Sequence, residues 1–184
     1  MTRQSKYLLA TILFVVFLLR FPSLYTTIMD IDESQYGEFA VKVVDGMPPY
    51  ASSIGEKPPL MYYYYIWIFK AFGKNNYSMV HAVTILWVMA SAYVIFLIGR
   101  LRFNESVGLI AALFYAVFST THEPKIISTN GETLMTLPLV LGIYFFSLYE
   151  QRVDNNERQK TLHWIGLAGI FTGMGFLFRH QAAM

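Results

Sequence analysis

The chain has 184 residues, of which 55% are hydrophobic, 17% aromatic and only 14% charged. A soluble domain averages about 25% charged residues. Here the apolar excess is also gathered into blocks, which marks a membrane protein. A net charge of +2 leaves no electrostatic footprint for nucleic acid, and the absence of cysteine excludes a disulfide framework, a thiolate metal site and a thiol nucleophile.

In chain order, five segments are candidate spans: 7–21, 79–101, 107–120, 133–149 and 162–178. A crossing helix needs roughly 20 apolar residues, with about 17 to 25 observed, and the second, fourth and fifth segments meet that length. The first is bounded by Lys6 and Arg20, whose long side chains snorkel to gain length. No small-x-small cleavage site follows it at Phe21-Pro22-Ser23, so a retained anchor is expected rather than a cleaved signal peptide. The third is short and gains its length from residues 104 onward. Lys and Arg totals are equal on the two sides of this arrangement. The inner loops, however, are short and dense in positive charge, and density near helix ends sets orientation. The N-terminus is therefore expected in the cytoplasm, with loop 22–78 outside.

That loop contains "DIDESQYGEF", four carboxylates in ten residues. Asp30 with Glu33, or Asp32 with Gln35, matches a capping box. Tyr36, Phe39, Ala40, Val43 and Val44 follow at helical spacing, and Gly46 marks the stop. This helix is expected on the membrane surface, apolar face down. A turn-rich link leads to "GEKPPLMYYYYIWIFKAFG", where Pro59 can open a helix at its first position. The run Leu60–Phe72 is too short to span. Its four tyrosines and Trp67 suit an interfacial anchor, or an aromatic wall for a sugar or isoprenoid. Acids at helix starts, where unpaired N–H groups and the positive dipole end gather, serve as caps or as part of an anion-handling site.

The order of these motifs resembles the first extracytoplasmic loop of the GT-C glycosyltransferases, in particular the protein O-mannosyltransferase and lipid A aminoarabinose transferase group. "IGRLRFNESVGLIAALFYAVFS" resembles that group's cytoplasmic turn and third helix. "STNGETLMTLPLVLGIYFF" resembles its second external acidic motif, and "GIFTGMGFLFRHQAAM" its glycine-rich helix ending in a basic residue. The resemblance implies an all-α polytopic membrane protein with GT-C type transmembrane helices and a long first loop holding interfacial helices. It also implies an enzyme that moves a sugar from a polyprenyl-phosphate carrier to an acceptor hydroxyl, on a lipid or a protein, at the extracytoplasmic face with inversion. On this resemblance Asp32 is the general base and Glu33 its neighbour in catalysis. Glu56, Lys57, Glu132 and Arg179 are expected to bind substrate. Glu132 stands where the group usually has Asp. Members of the group are several hundred residues long, so residues 1–184 are expected to be the N-terminal part of a GT-C domain whose remainder is missing, and inactive alone.

The chemistry of the residues agrees with this. An inverting transfer needs a carboxylate near the acceptor hydroxyl and a cation beside the leaving phosphate, and Lys57 and Arg179 are candidates for that cation. No organic cofactor is expected; a divalent metal is compatible with the donor. His122-Glu123 is two ligands short of a metal site, and loop polarity accounts for His81, His122, His163 and His180. Gly169-x-x-x-Gly173 is expected to pack helices closely. Asn76-Tyr77-Ser78 and Asn104-Glu105-Ser106 match the glycosylation triplet by chance. The rival class is a polytopic transporter or lipid-carrier flippase, which charges within the spans would favour; these acids lie in loops. For the topology, a single cysteine at Ser52 (Ser52→Cys) should react with an impermeant thiol reagent in intact cells. Labelling only after lysis would reverse the orientation.

Overall fold

The computed structural model describes residues 1–51, 57–121, 123–154 and 161–180, and the described residues form helices joined by short links. Glu56, one of the expected substrate-binding residues, lies outside the described residues, as do Ser52 and His122. The first helix, α1, runs Arg3–Arg20 and continues as a 3-10 turn, Phe21–Tyr25. Two helices of the first loop follow, α2 (Ile31–Val44) and α3 (Pro59–Phe72). Then come α4 (Tyr77–Arg102), α5 (Glu105–Phe118), the single turn α6 (Pro124–Ile127), α7 (Gly131–Asp154) and α8 (Leu162–Phe178). Three stretches are long and apolar enough to cross a membrane: Arg3–Tyr25, Tyr77–Arg102 and Gly131–Val153. The first gains its length from the 3-10 turn. The helices α5 and α8 are apolar but shorter, with 14 and 17 residues.

Local chemistry explains the boundaries. Thr2, Asn76 and Asn104 cap α1, α4 and α5, each side chain accepting an N–H from the first turn. The two asparagines of the glycosylation triplets are thus caps. Asp30 is the N-cap of α2, so that helix starts earlier than an Asp32 cap would place it, and Asp32 and Glu33 fall inside its first turn. Pro59 opens α3 at its first position, and Gly73, at φ +100, closes it.

Two apolar clusters share α4. One joins Leu9, Ile12 and Val16 of α1 to Val88 and Phe96 of α4 and to Ala112 and Ala116 of α5. The other centres on α3, with Tyr36 and Phe39 of α2, Val80 of α4, Leu134 of α7 and Phe178 of α8 around it. The tyrosine run is therefore packed within the protein rather than spread as an anchor: Tyr62, Tyr64 and Tyr65 are buried, and Trp67 alone of this group stays well exposed. Burial is tolerated because the polar tips find partners inside, Tyr65 Oη donating to Thr129 O at 2.8 Å and the Tyr64 hydroxyl meeting Thr84 Oγ1 at 2.9 Å.

Two further expectations are corrected. Arg20 does not snorkel. It is 1% exposed and donates to the carbonyls of Ser119, Ile126 and Ile127, supplying donors to the end of α5 and to α6. A Cβ added at Gly169 or Gly173 would meet nothing within 4 Å, so neither glycine is needed for a close approach. Close helix contact falls instead at Gly99 and Gly108, where a Cβ on Gly99 would lie 2.6 Å from Gly108 Cα. Backbone cannot retreat as a side chain can, so Gly99→Ala should force α4 and α5 apart at a cost of about 1–3 kcal/mol. A lowered midpoint for thermal unfolding in detergent would record it; an unchanged midpoint would contradict the crossing.

Candidate active site

The ends of α1, α4, α5, α7 and α8 that meet the first loop form one face of the bundle. Polar contacts join them beside the apolar cluster around α3. Ser78 Oγ donates to Leu24 O, and Arg20 reaches α5 and α6. Gly131, the first residue of α7, packs against Phe178 and Arg179 at the end of α8. On this face lies a cavity of about 300 Å³ lined by Tyr36, Lys57, Pro58, Gly131, Phe178, Arg179 and His180.

Five of the expected site residues can be placed. Lys57 and Arg179 line the cavity. Asp32 stands beside it: its Oδ1 lies 3.9 Å from Lys57 Nζ, a loose pair in which both side chains stay partly exposed. Glu132 is paired with Arg179. It also lines a second cavity, of about 280 Å³, with Tyr115, Lys125, Asn130 and Thr136. The Glu132–Arg179 pair therefore stands between the two spaces. Glu33 is placed differently from its neighbour. Its carboxylate is wholly buried and faces protein on every side, with Oε2 accepting from Met29 N (2.8 Å) and Oε1 accepting from Thr129 N (2.8 Å) and facing His81 Nε2 (2.9 Å). This explains why the two adjacent acids cannot share one role.

Two functional candidates escaped the sequence reading. Tyr36 sits one helical turn after Asp32, on the same face of α2. It lines the cavity yet is only 1% exposed, and its hydroxyl meets no hydrogen-bond partner among the described residues. Burial, reinforced by the Asp32 carboxylate, holds its phenol well above the ordinary tyrosine range, so it remains an O–H donor. The spacing from Asp32 was the available signal. His81 was assigned to loop polarity and is in fact a buried residue of α4, bonded to Glu33 and, through Nδ1, to Ser23 O at 2.7 Å. A lone imidazole inside an apolar helix was the signal there, since such residues rarely lack a partner. Among the described residues no group of three or more His, Asp or Glu side chains converges as a metal site.

A family model described as dolichyl-phosphate-mannose-protein mannosyltransferase matches residues 56–184. The chain belongs to this family. No curated protein and no solved structure matches it. Membership makes the chain a mannosyltransferase-like glycosyltransferase of the GT-C type, and with its apolar helices an integral membrane protein that works on a lipid-linked sugar donor. Lys57, Glu132 and Arg179 fall inside the matched stretch, whereas Asp32, Glu33 and Tyr36 precede it and stand on geometry alone.

The contrast between Asp32 and Glu33 is measurable without turnover. Glu33→Ala leaves His81 and two backbone N–H groups without an acceptor in a dry interior, and should cost about 3–5 kcal/mol of stability. Asp32→Asn gives up one long, partly exposed pair and should cost less than about 1 kcal/mol. Equal losses for the two would refute the placement of Glu33.

Proposed function

We propose that the protein transfers a sugar from a polyprenyl-phosphate donor to an acceptor hydroxyl on the extracytoplasmic face, with inversion at the anomeric carbon. The observation that carries this reading is the cavity itself: two cations from separate elements, Lys57 and Arg179, beside the Asp32 carboxylate, at one end of a glycosyltransferase bundle. An anionic leaving group and a general base are the two things an inverting transfer requires.

In this mechanism the donor phosphate lies against Lys57 and Arg179, and the Tyr36 hydroxyl donates to one of its oxygens. Asp32 accepts the acceptor's proton as the acceptor oxygen attacks the anomeric carbon. The bond from that carbon to the phosphate oxygen breaks, and the polyprenyl phosphate leaves as an anion. Attack from the face opposite the phosphate inverts the centre. Glu132 holds the Arg179 guanidinium in place at the border of the two cavities. Glu56, next to Lys57 in sequence, retains its proposed part in substrate binding. The acceptor is a lipid or protein hydroxyl.

Two substitutions test the reading. Asp32→Asn should lower turnover by at least about 100-fold while donor binding persists, as expected for loss of a general base. Lys57→Ala should weaken donor binding by about 10-fold, in line with a lost charge-assisted contact. Normal turnover in the first, measured with labelled polyprenyl-phosphate sugar in membranes, would overturn the role of Asp32. Unchanged donor affinity in the second would overturn that of Lys57.

A further inference from the structure

Glu33 and His81 are buried, ionisable and unused by the transfer chemistry, yet their partners lie on the elements that carry the site. Ser23 O can only accept, so His81 Nδ1 carries a hydrogen. Both Glu33 oxygens accept backbone N–H groups, from Met29 and Thr129. One further proton therefore lies between Nε2 and Oε1, and the pair is neutral as a unit, which suits its dry surroundings.

The strap runs from the 3-10 turn after α1 through His81 of α4 to the first turn of α2, and on to Thr129, three residues before Glu132. Thr129 is held on its other sides as well: its carbonyl accepts from Tyr65, and its hydroxyl meets Thr84 Oγ1 at 2.8 Å. Asn130, the next residue, caps α7 by accepting from Thr133 N at 2.9 Å. One carboxylate thus ties the start of α2, with Asp32 one residue before Glu33, to the start of α7, with its Glu132–Arg179 pair.

We infer that His81 is a positioning residue for the transfer, acting through Glu33 to hold Asp32 in register with the Glu132–Arg179 side of the cavity. This rests on the reading of the cavity as the transfer site. His81 touches no substrate. Its effect is therefore on turnover, while donor binding, which depends on Lys57 and Arg179, is left in place.

The test uses the protein at its full natural length in detergent or nanodiscs. His81→Gln keeps a donor for Glu33 or for Ser23 but not for both. It should lower kcat by about 10- to 100-fold, the cost of a small misplacement of reacting groups, with donor KM within about threefold of wild type. Glu33→Asp keeps the charge beside His81 but shortens its reach, and should show the same split. It serves if His81→Gln fails to fold. The double variant should lose no more than the worse single, because both act through one strap. Wild-type kcat in a folded single variant, a parallel loss of donor affinity, or multiplicative losses in the double variant would each overturn the inference. The chain has no cysteine, so spin labels at Gln35→Cys and Lys125→Cys read the register directly. Their distance distribution should broaden in His81→Gln, and an unchanged distribution would overturn the strap. A wild-type protein that transfers no sugar would instead remove the proposed function, and the label distances would then decide the strap alone.

Discussion

A carboxylate removed from water must be met by donors, and Glu33 is met by donors from three separate stretches of the chain: the residue before the α2 cap, the middle of the first turns of α4, and the link that leads into α7. No apolar contact imposes that kind of constraint. Leucines tolerate sliding by fractions of an ångström; a buried charge with backbone partners does not. The cavity-facing groups of α2 and α7 inherit their relative placement from this requirement. The tyrosines of α3 extend it, because Tyr65 and, through Thr84, Tyr64 attach to the same threonine that donates to Glu33.

Much of this architecture could be read from residue patterns. The apolar blocks announced the long helices, Gly46 marked a helix end, and Pro59 marked a start. The first-loop motifs pointed to the lipid-linked sugar transferases, and the family match covers the region from Glu56 onward. What could not be read was the direction in which polar side chains turn. Neighbouring residues on a helix point about 100° apart, so Asp32 and Glu33 part company: one beside a cavity, the other into the interior. Periodicity alone could not say which. Nor could it reveal that Arg20 and His81 would be consumed by distant carbonyls and carboxylates, since those partners lie 99 to 107 residues away for Arg20 and 48 for the His81–Glu33 contact.

The tyrosine run shows the same limit from the other side. Its composition fits an interface well, because each ring offers an apolar body and a polar tip. A protein interior supplies the same pair of environments when carbonyls and hydroxyls are set among packed rings. Composition states what a side chain needs; only tertiary contacts show where the need is met. The distribution of charge around the cavity follows a similar logic. Lys57 and Arg179 each have a carboxylate in contact, and the site is thereby close to neutral before any substrate arrives. On the proposed function, an incoming phosphate would compete with Asp32 for Lys57 across their long contact while Glu132 keeps Arg179 oriented, so donor arrival would free the Asp32 carboxylate.

The cap of α4 has a consequence for the protein's own surface chemistry. Asn76 heads a triplet that fits the acceptor pattern for N-linked sugars, and its amide is already in use as the cap: Nδ2 donates one of its two hydrogens to Phe72 O at 3.0 Å, and Oδ1 accepts from Met79 N at 3.2 Å. Ser78, the third member of the triplet, has its hydroxyl turned onto Leu24 O. A glycan on that nitrogen would leave it a single N–H, which would have to stay on Phe72 O for the whole cap to survive. The folded helix start therefore fixes the direction in which the amide faces, and a sugar added there would have to leave along the one N–H that the cap does not use.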